Sequence, residues 1–247
     1  GPPPRADLDH VAATAGTLLR RARWINAAYD LSGRRVLCVG DHDLTSIALA
    51  RVNPDVTITV VDVDERVLDH IDTVARAAGL PIRTLFADLR LGLPPAARDW
   101  ADLVFTDPPY TPEGATLFVG RGLAGLRDRA HGVVLMAYGH SRLHPTLGFQ
   151  AQQALARLGV VFEGILPAFN RYHGAQAVGS ASDLYICAPT SRTWKVLDRV
   201  VDAVEPRIYT HGAQSVESGA GPTGGTRREG RRELLAAAAA GLDRPVG

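Results

Sequence analysis

Arg35-Val36-Leu37-Cys38-Val39-Gly40-Asp41-His42-Asp43-Leu44-Thr45-Ser46-Ile47-Ala48-Leu49-Ala50 is the stretch on which the reading of the fold turns. A short, continuously apolar run stops at a glycine and gives way to a polar cluster. Leu44, Ile47, Ala48, Leu49 and Val52 then recur at helical spacing. A strand that is apolar on both faces, followed by a turn and a helix, opens a parallel sheet covered by helices on both sides. The same pattern repeats downstream. Residues 56–61 read as a second strand, and Glu65–Ala78 as a helix with Val67, Leu68, Ile71, Val74, Ala75 and Ala78 on one face. Gly79 stops that helix and Pro81 lies just beyond. Further strands are expected at Ile82–Phe86, Leu103–Thr106 and 132–137, with helical stretches between them. This is a doubly wound α/β sheet. Upstream, Leu8, Val11, Ala12, Leu18, Leu19, Ala22, Trp24 and Ile25 predict one or two helices within residues 6–31.

After the parallel strands, residues 145–158 read as a helix and 160–166 and 183–188 as two late strands joined by a long polar segment. From 212 to 230 the composition shifts to Gly, Ser, Thr and Arg, which predicts a flexible tail, and 231–240 has the pattern of a short helix. The expected organisation is an N-terminal helical segment (6–32), a Rossmann-like ligand-binding catalytic domain (33–190) and a C-terminal extension (191–247).

Composition excludes several classes of function. The 247 residues are 46% apolar, yet no uninterrupted apolar run approaches the roughly 20 residues of a bilayer span, so a membrane location is not expected. With 27 Lys and Arg against 26 Asp and Glu, the net charge of +1 provides no field for duplex nucleic acid or an anionic surface. Cys38 and Cys187 each sit inside an apolar run, which suits buried reduced thiols and a cytoplasmic setting, and no spacing of metal ligands occurs.

Ligands of open α/β sheets bind beyond the carboxyl ends of the strands. Four polar clusters fall there: Gly40-Asp41-His42-Asp43, Asp62-Val63-Asp64, Ala87-Asp88-Leu89-Arg90 and Asp107-Pro108-Pro109-Tyr110. The first is not a G-x-G-x-x-G phosphate loop, and its acids would repel a pyrophosphate while attracting a cation such as an S-adenosyl sulfonium. Asp62 follows Gly40 by 22 residues, near the spacing at which a carboxylate accepts from ribose hydroxyls. The competing structural reading is that Asp43 caps the helix at Leu44 and that Asp62 and Asp64 cap the helix at Glu65. In Asp107-Pro108-Pro109-Tyr110, two prolines fix a turn that presents a carboxylate able to take a proton from an amine, with an aromatic ring beside it.

Taken together, Gly40 to Ala50, Val61-Asp62-Val63-Asp64-Glu65-Arg66, Ala87-Asp88-Leu89-Arg90 and Phe105-Thr106-Asp107-Pro108-Pro109-Tyr110-Thr111 resemble the branched-chain polyamine synthases, the N4-bis(aminopropyl)spermidine synthases. Phe118-Val119-Gly120-Arg121-Gly122 and Gly179-Ser180-Ala181-Ser182-Asp183-Leu184-Tyr185 are similar to later family segments. The resemblance implies a methyltransferase-type sheet closed by an antiparallel edge. It also implies transfer of an aminopropyl group from decarboxylated S-adenosylmethionine to an amine, without a metal. By that resemblance Asp41 and Asp43 line the donor's amine end, Asp62 its ribose and Asp88 its adenine. Gly40, His42, Asp64, Leu89 and Pro108 complete the donor site, and Asp107 with Tyr110 serves the nucleophile. Independently of the resemblance, Asn170-Arg171-Tyr172-His173 precedes a glycine-rich turn and, with Pro109, is the expected acceptor side, where Arg171 pairs either with an acidic acceptor or simply with a surface carboxylate. The acceptor is a small molecule, an amine or a phenol, with homodimerisation left open. His140, His144 and His173 fall on loops after the core strands and are candidate assisting bases.

Three departures from the family pattern stand out. The family carries an N-terminal winged-helix domain, for which 32 residues leave no room. His42 replaces the central acid of the family's Gly-Asp-Asp-Asp. The tail holds Arg227, Arg228, Arg231 and Arg232 where the family is acidic. Because intact S-adenosylmethionine brings a carboxylate, His42 opens the expectation of 3-amino-3-carboxypropyl transfer, as in natural-product enzymes such as isonocardicin synthase. Two rival readings are methyl transfer to an amino group and a non-catalytic adenosyl-ligand sensor.

Overall fold

The structure, a computed structural model, describes residues 1–140, 145–173, 180–200 and 207–210. Among the described residues, seven strands form one sheet in the order β3-β2-β1-β4-β5-β7-β6. β1 (Arg35–Val39), β2 (Thr57–Asp62), β3 (Ile82–Phe86), β4 (Leu103–Thr106) and β5 (Val133–Tyr138) are parallel. β7 (Ala181–Ala188) runs antiparallel to β5 and to β6 (Val161–Arg171). The strand order reverses at β1 and β4, so a crevice opens at their carboxyl ends.

Strand alternation builds two cores. Leu37, Val39, Val104, Val134 and Met136 face α4 (Pro112–Gly125), α5 (Pro145–Arg157) and α6 (Ser191–Val200). Val36, Cys38, Phe105 and Leu135 face α1 (Ala15–Tyr29), α2 (Thr45–Val52) and α3 (Glu65–Ala78). α3 begins at Asp64, whose side chain accepts from the Arg66 amide, and ends at Gly79, whose φ of 62° suits a residue without a Cβ. Both cysteines are buried and unbonded to each other. Among the described residues no helix is long and apolar enough to cross a membrane.

α4 lies close on the sheet because Gly122 has no side chain. A Cβ there would stand 2.8 Å from Val104 Cγ1 and 3.5 Å from Val134 Cγ1. Alanine gains up to about 1 kcal/mol of helix propensity, but pushing a methyl into a packed core costs about 1–3 kcal/mol. Gly122→Ala is therefore expected to lower Tm by roughly 2–6 °C in a thermal melt; an unchanged or raised Tm would contradict this packing.

Several expectations need correction. The N-terminal stretch is a 3-10 turn (Ala6–Leu8), an extended segment and a single helix that starts at Ala15. The expected Val11 and Ala12 are not helical but lie in that segment, which pairs through Ala13 with Tyr172, and Leu19 is exposed. β6 runs five residues beyond the expected 166, with irregular register between Leu166 and Asn170, so Asn170 and Arg171 end a strand and do not form a loop. His144 and the C-terminal tail, with its predicted flexibility and helix, lie outside the described residues.

Candidate active site

The loop after β1 is shaped by its backbone. Gly40 has φ 71°, and Leu44 adopts the left-handed φ of 66°, which is strained for a branched residue. That turn inverts the expected roles of the two acids. Asp41, not Asp43, caps α2, its Oδ1 accepting from the Thr45 amide at 2.8 Å and its Oδ2 from the Ser46 amide at 3.1 Å. Asp43 points the other way, accepting from the Ala13 amide at 2.7 Å and from Arg21 Nη1 at 2.9 Å. Asp62 ties two loops together: its Oδ2 accepts from the Asp41 amide and its Oδ1 from the Asp64 amide, both at 2.9 Å. Burial raises its pKa in spite of those amides.

Arg21, which pattern reading passed over, is the centre of the site. It projects from α1 with its side chain fully buried, and each of its five N–H groups has a partner. Nε donates to Asn170 Oδ1 at 2.8 Å, and Nη1 to Asp43 Oδ2 and to Thr45 Oγ1 at 3.0 Å. Nη2 donates to Asp107 Oδ2 at 2.7 Å and to the Tyr172 hydroxyl at 3.1 Å. The guanidinium also lies 4.9 Å from the centre of the Phe105 ring. One signal was available: Thr17, Arg21 and Ile25 fall at i, i+4 and i+8, so a charge sits on the buried stripe of α1.

Asp107 stands at the end of β4. Its Oδ2 also accepts from the Tyr172 hydroxyl at 2.7 Å, and that hydroxyl lies 2.9 Å from Ser182 Oγ. Burial pushes Asp107 up to about 6; Arg21 pulls against this, while Asp43 adds to it. Burial likewise raises Tyr110 and Tyr172 well above the ordinary phenol range, so both keep their protons. His42 is half-buried, which opposes its charge, yet Asp43 and Asp107 raise it above the ordinary imidazole value. Its ring stacks on His10 at 4.4 Å, another residue the sequence reading did not single out. Burial and the neighbouring His42 push His10 down to about 3, so it is neutral.

Gly40, His42, Asp62, Leu89, Asp107 and Pro109 line one cleft, as their positions at strand ends predicted. Pro108 and Tyr110 are buried next to it, and Asn170 and Tyr172 reach it through Arg21 and Asp107. Six further expected residues do not line it: Asp41 is turned to the start of α2, Asp43 to Arg21 and Ala13, and the other four are engaged elsewhere. Asp88 is engaged by Arg90 and Asp64 by Arg66. Arg171 ends β6 and His173 follows it; both are exposed, their backbones bonded to Thr14 and Ala12 of the N-terminal segment. The cleft is narrow. Leu8, His10, Ile208 and Tyr209 also line it and leave about 30 Å³ of space, against the several hundred Å³ a bound nucleoside fills. The two closing segments are joined by the Thr210 amide donating to Asp9 at 2.9 Å.

The comparisons agree with this geometry. The profile of the branched-chain polyamine synthase A C-terminal domain matches residues 1–214. An uncharacterised protein of Methanocaldococcus jannaschii is 36% identical over 175 residues, covering 71% of this chain and 44% of that protein. The N(4)-bis(aminopropyl)spermidine synthase of Thermococcus kodakarensis is 34% identical over 175 residues, covering 69% and 49%. The C9 mutein of the Thermus thermophilus branched-chain polyamine synthase, crystallised with N4-aminopropylspermidine and 5'-methylthioadenosine, superposes with a TM-score of 0.72 at 26% identity. That alignment covers 87% of this chain and 66% of the other. The chain spans about half the length of the curated relatives it matches. Profile, sequence and topology converge, and the chain belongs to the branched-chain polyamine synthase family.

Proposed function

We propose that this chain transfers an aminopropyl group from decarboxylated S-adenosylmethionine to an amine, releasing 5'-methylthioadenosine. The observation that carries the reading is a single cleft lined by Asp62 at the end of β2 and Asp107 at the end of β4, beside a loop after β1 that is acidic and is not a G-x-G-x-x-G phosphate loop. The names of the relatives and the nucleoside held by the Thermus protein support it. In the proposed step the acceptor nitrogen attacks the carbon bonded to sulfur. The carbon–sulfur pair leaves with sulfur as a neutral thioether, and the proton lost by nitrogen passes to Asp107. No acid is needed for such a leaving group, so rate depends on holding nitrogen and carbon about 3–3.5 Å apart in line and on the base. Tyr172, keeping its proton, donates to Asp107 Oδ2 and fixes that carboxylate's orientation. The reduced state of buried Cys38 and Cys187 suits a cytoplasmic enzyme.

A second reading, 3-amino-3-carboxypropyl transfer from intact S-adenosylmethionine, is favoured by His42, a possible donor in the loop after β1 whose charged form is favoured by Asp43 and Asp107 against the cost of burial. Arg21 does not add to it, because all five of its donors are taken. One experiment separates the readings. The protein is incubated with spermidine and each donor in turn, and the nucleoside product is identified. Methylthioadenosine from the decarboxylated donor is expected. Methylthioadenosine from the intact donor, with tighter calorimetric binding of it, selects the second reading. S-adenosylhomocysteine, or binding without turnover, overturns both.

A further inference from the structure

Arg21 is 86 positions from Asp107 and 149 from Asn170, yet it joins α1, the loop after β1, the turn after β4 and the end of β6 through side-chain bonds of 2.7–3.1 Å. Its planar fork fills five directions at once, which an ammonium cannot do. Neither Asp43 nor Asp107 has another guanidinium bonded to it among the described residues. We propose that Arg21 is the positioning residue of the transfer reaction: it anchors Oδ2 of Asp107 together with Tyr172 and divides its charge between Asp107 and Asp43, so that Asp107 meets the acceptor in one orientation and as a carboxylate. This rests on the transferase reading above.

The groups facing Asp107 are Arg21 from α1, His42 and Asp43 from the loop after β1, Tyr110 from its own turn and Tyr172 from the segment after β6. Of these only Arg21 carries a permanent positive charge. Its removal leaves two buried carboxylates opposed by one imidazole, and a like charge without its counter-ion raises a carboxyl pKa. The acid limb of the rate profile must then move to higher pH.

The test compares wild type with Arg21→Met, Arg21→Lys and Tyr172→Phe, with active sites counted by methylthioadenosine binding. Arg21→Met is expected to lower kcat per active site about 30-fold and to move the acid limb of kcat/KM for the acceptor up by about one pH unit, with donor KM changed less than about threefold. Arg21→Lys keeps the charge and loses the fork, so its limb stays near the wild-type position while kcat stays low. Tyr172→Phe removes one donor from Asp107 Oδ2 and gives a smaller upward shift of the same limb. A merely structural Arg21 would lower the melting temperature and the number of active sites, leaving the limb and kcat per site unmoved; that result overturns the proposal. If Arg21→Met does not fold, the split between limb and kcat in Arg21→Lys decides alone.

Failure of the transferase reading looks different: wild type then yields no methylthioadenosine from either donor. In that event a ¹³C NMR titration of the Asp107 carboxyl, assigned with Asp107→Asn, still tests the positioning role. An upward midpoint shift in Tyr172→Phe and Arg21→Met supports it, and unchanged midpoints overturn it.

Discussion

Asp107→Asn is expected to lower kcat about 10³-fold while changing the Kd for methylthioadenosine less than about threefold. An asparagine keeps the shape of the side chain and still accepts one bond from Arg21 Nη2, so the network of Asp43, Asn170 and Tyr172 retains its frame. What it loses is the capacity to take a proton. Asp107 is pushed up to about 6 by burial, with Arg21 opposing and Asp43 reinforcing the shift. If the proposed transfer holds, the wild-type chain should therefore show kcat/KM rising with pH through about 6, as the carboxyl ionises, and levelling above that. The variant should lack this limb. Stopped assays over pH 5–8, paired with calorimetry on methylthioadenosine, measure both quantities. A variant that retains more than a tenth of wild-type kcat removes Asp107 from the role of base.

Asp62→Asn is expected to weaken methylthioadenosine binding about 100-fold, equivalent to about 2.7 kcal/mol. Both carboxylate oxygens of Asp62 accept backbone amides, one from each of the loops that frame the cleft, and its side chain also lines that cleft. An amide has one acceptor where the carboxylate has two, so one buried N–H loses its partner, at a cost of about 1–3 kcal/mol. The same change removes the charge offered to a ribose. Calorimetry reads the effect directly, with circular dichroism to verify that the sheet persists. A Kd within threefold of wild type would mean that nucleosides bind elsewhere.

The elements of the parallel sheet were legible because burial on both faces writes itself as short continuous apolar runs. β1, β3 and β4 fall at the expected residues, as does α3. Patterning was weaker where a segment is held by a distant partner. β6 alternates in exposure and carries register shifts, so its length depends on pairing with β7 and is not evident from its own residues. The N-terminal segment is extended because residues 13 and 14 pair with 171 and 172, a contact that no local period can announce. In the site, the strand-end position of Asp62 and Asp107 was readable from topology alone. Which of Asp41 and Asp43 would cap α2 was not, since the left-handed turn at Leu44 decides it. Arg21 stayed hidden for a plainer reason: sorting a helix by its apolar positions discards the one charged residue on that face.

The stretch from Leu8 to Thr14 is a wall of the cleft and a brace between its parts. Its Ala13 amide holds Asp43, Val11 bonds His42, His10 covers the His42 ring, and Asp9 fastens to Thr210 across the opening. The strip therefore links the loop after β1 to residues 208–210 across the cleft through one continuous run of bonds. A substitution anywhere along it is therefore felt on both sides of the cleft, at the buried acids after β1 and at Thr210.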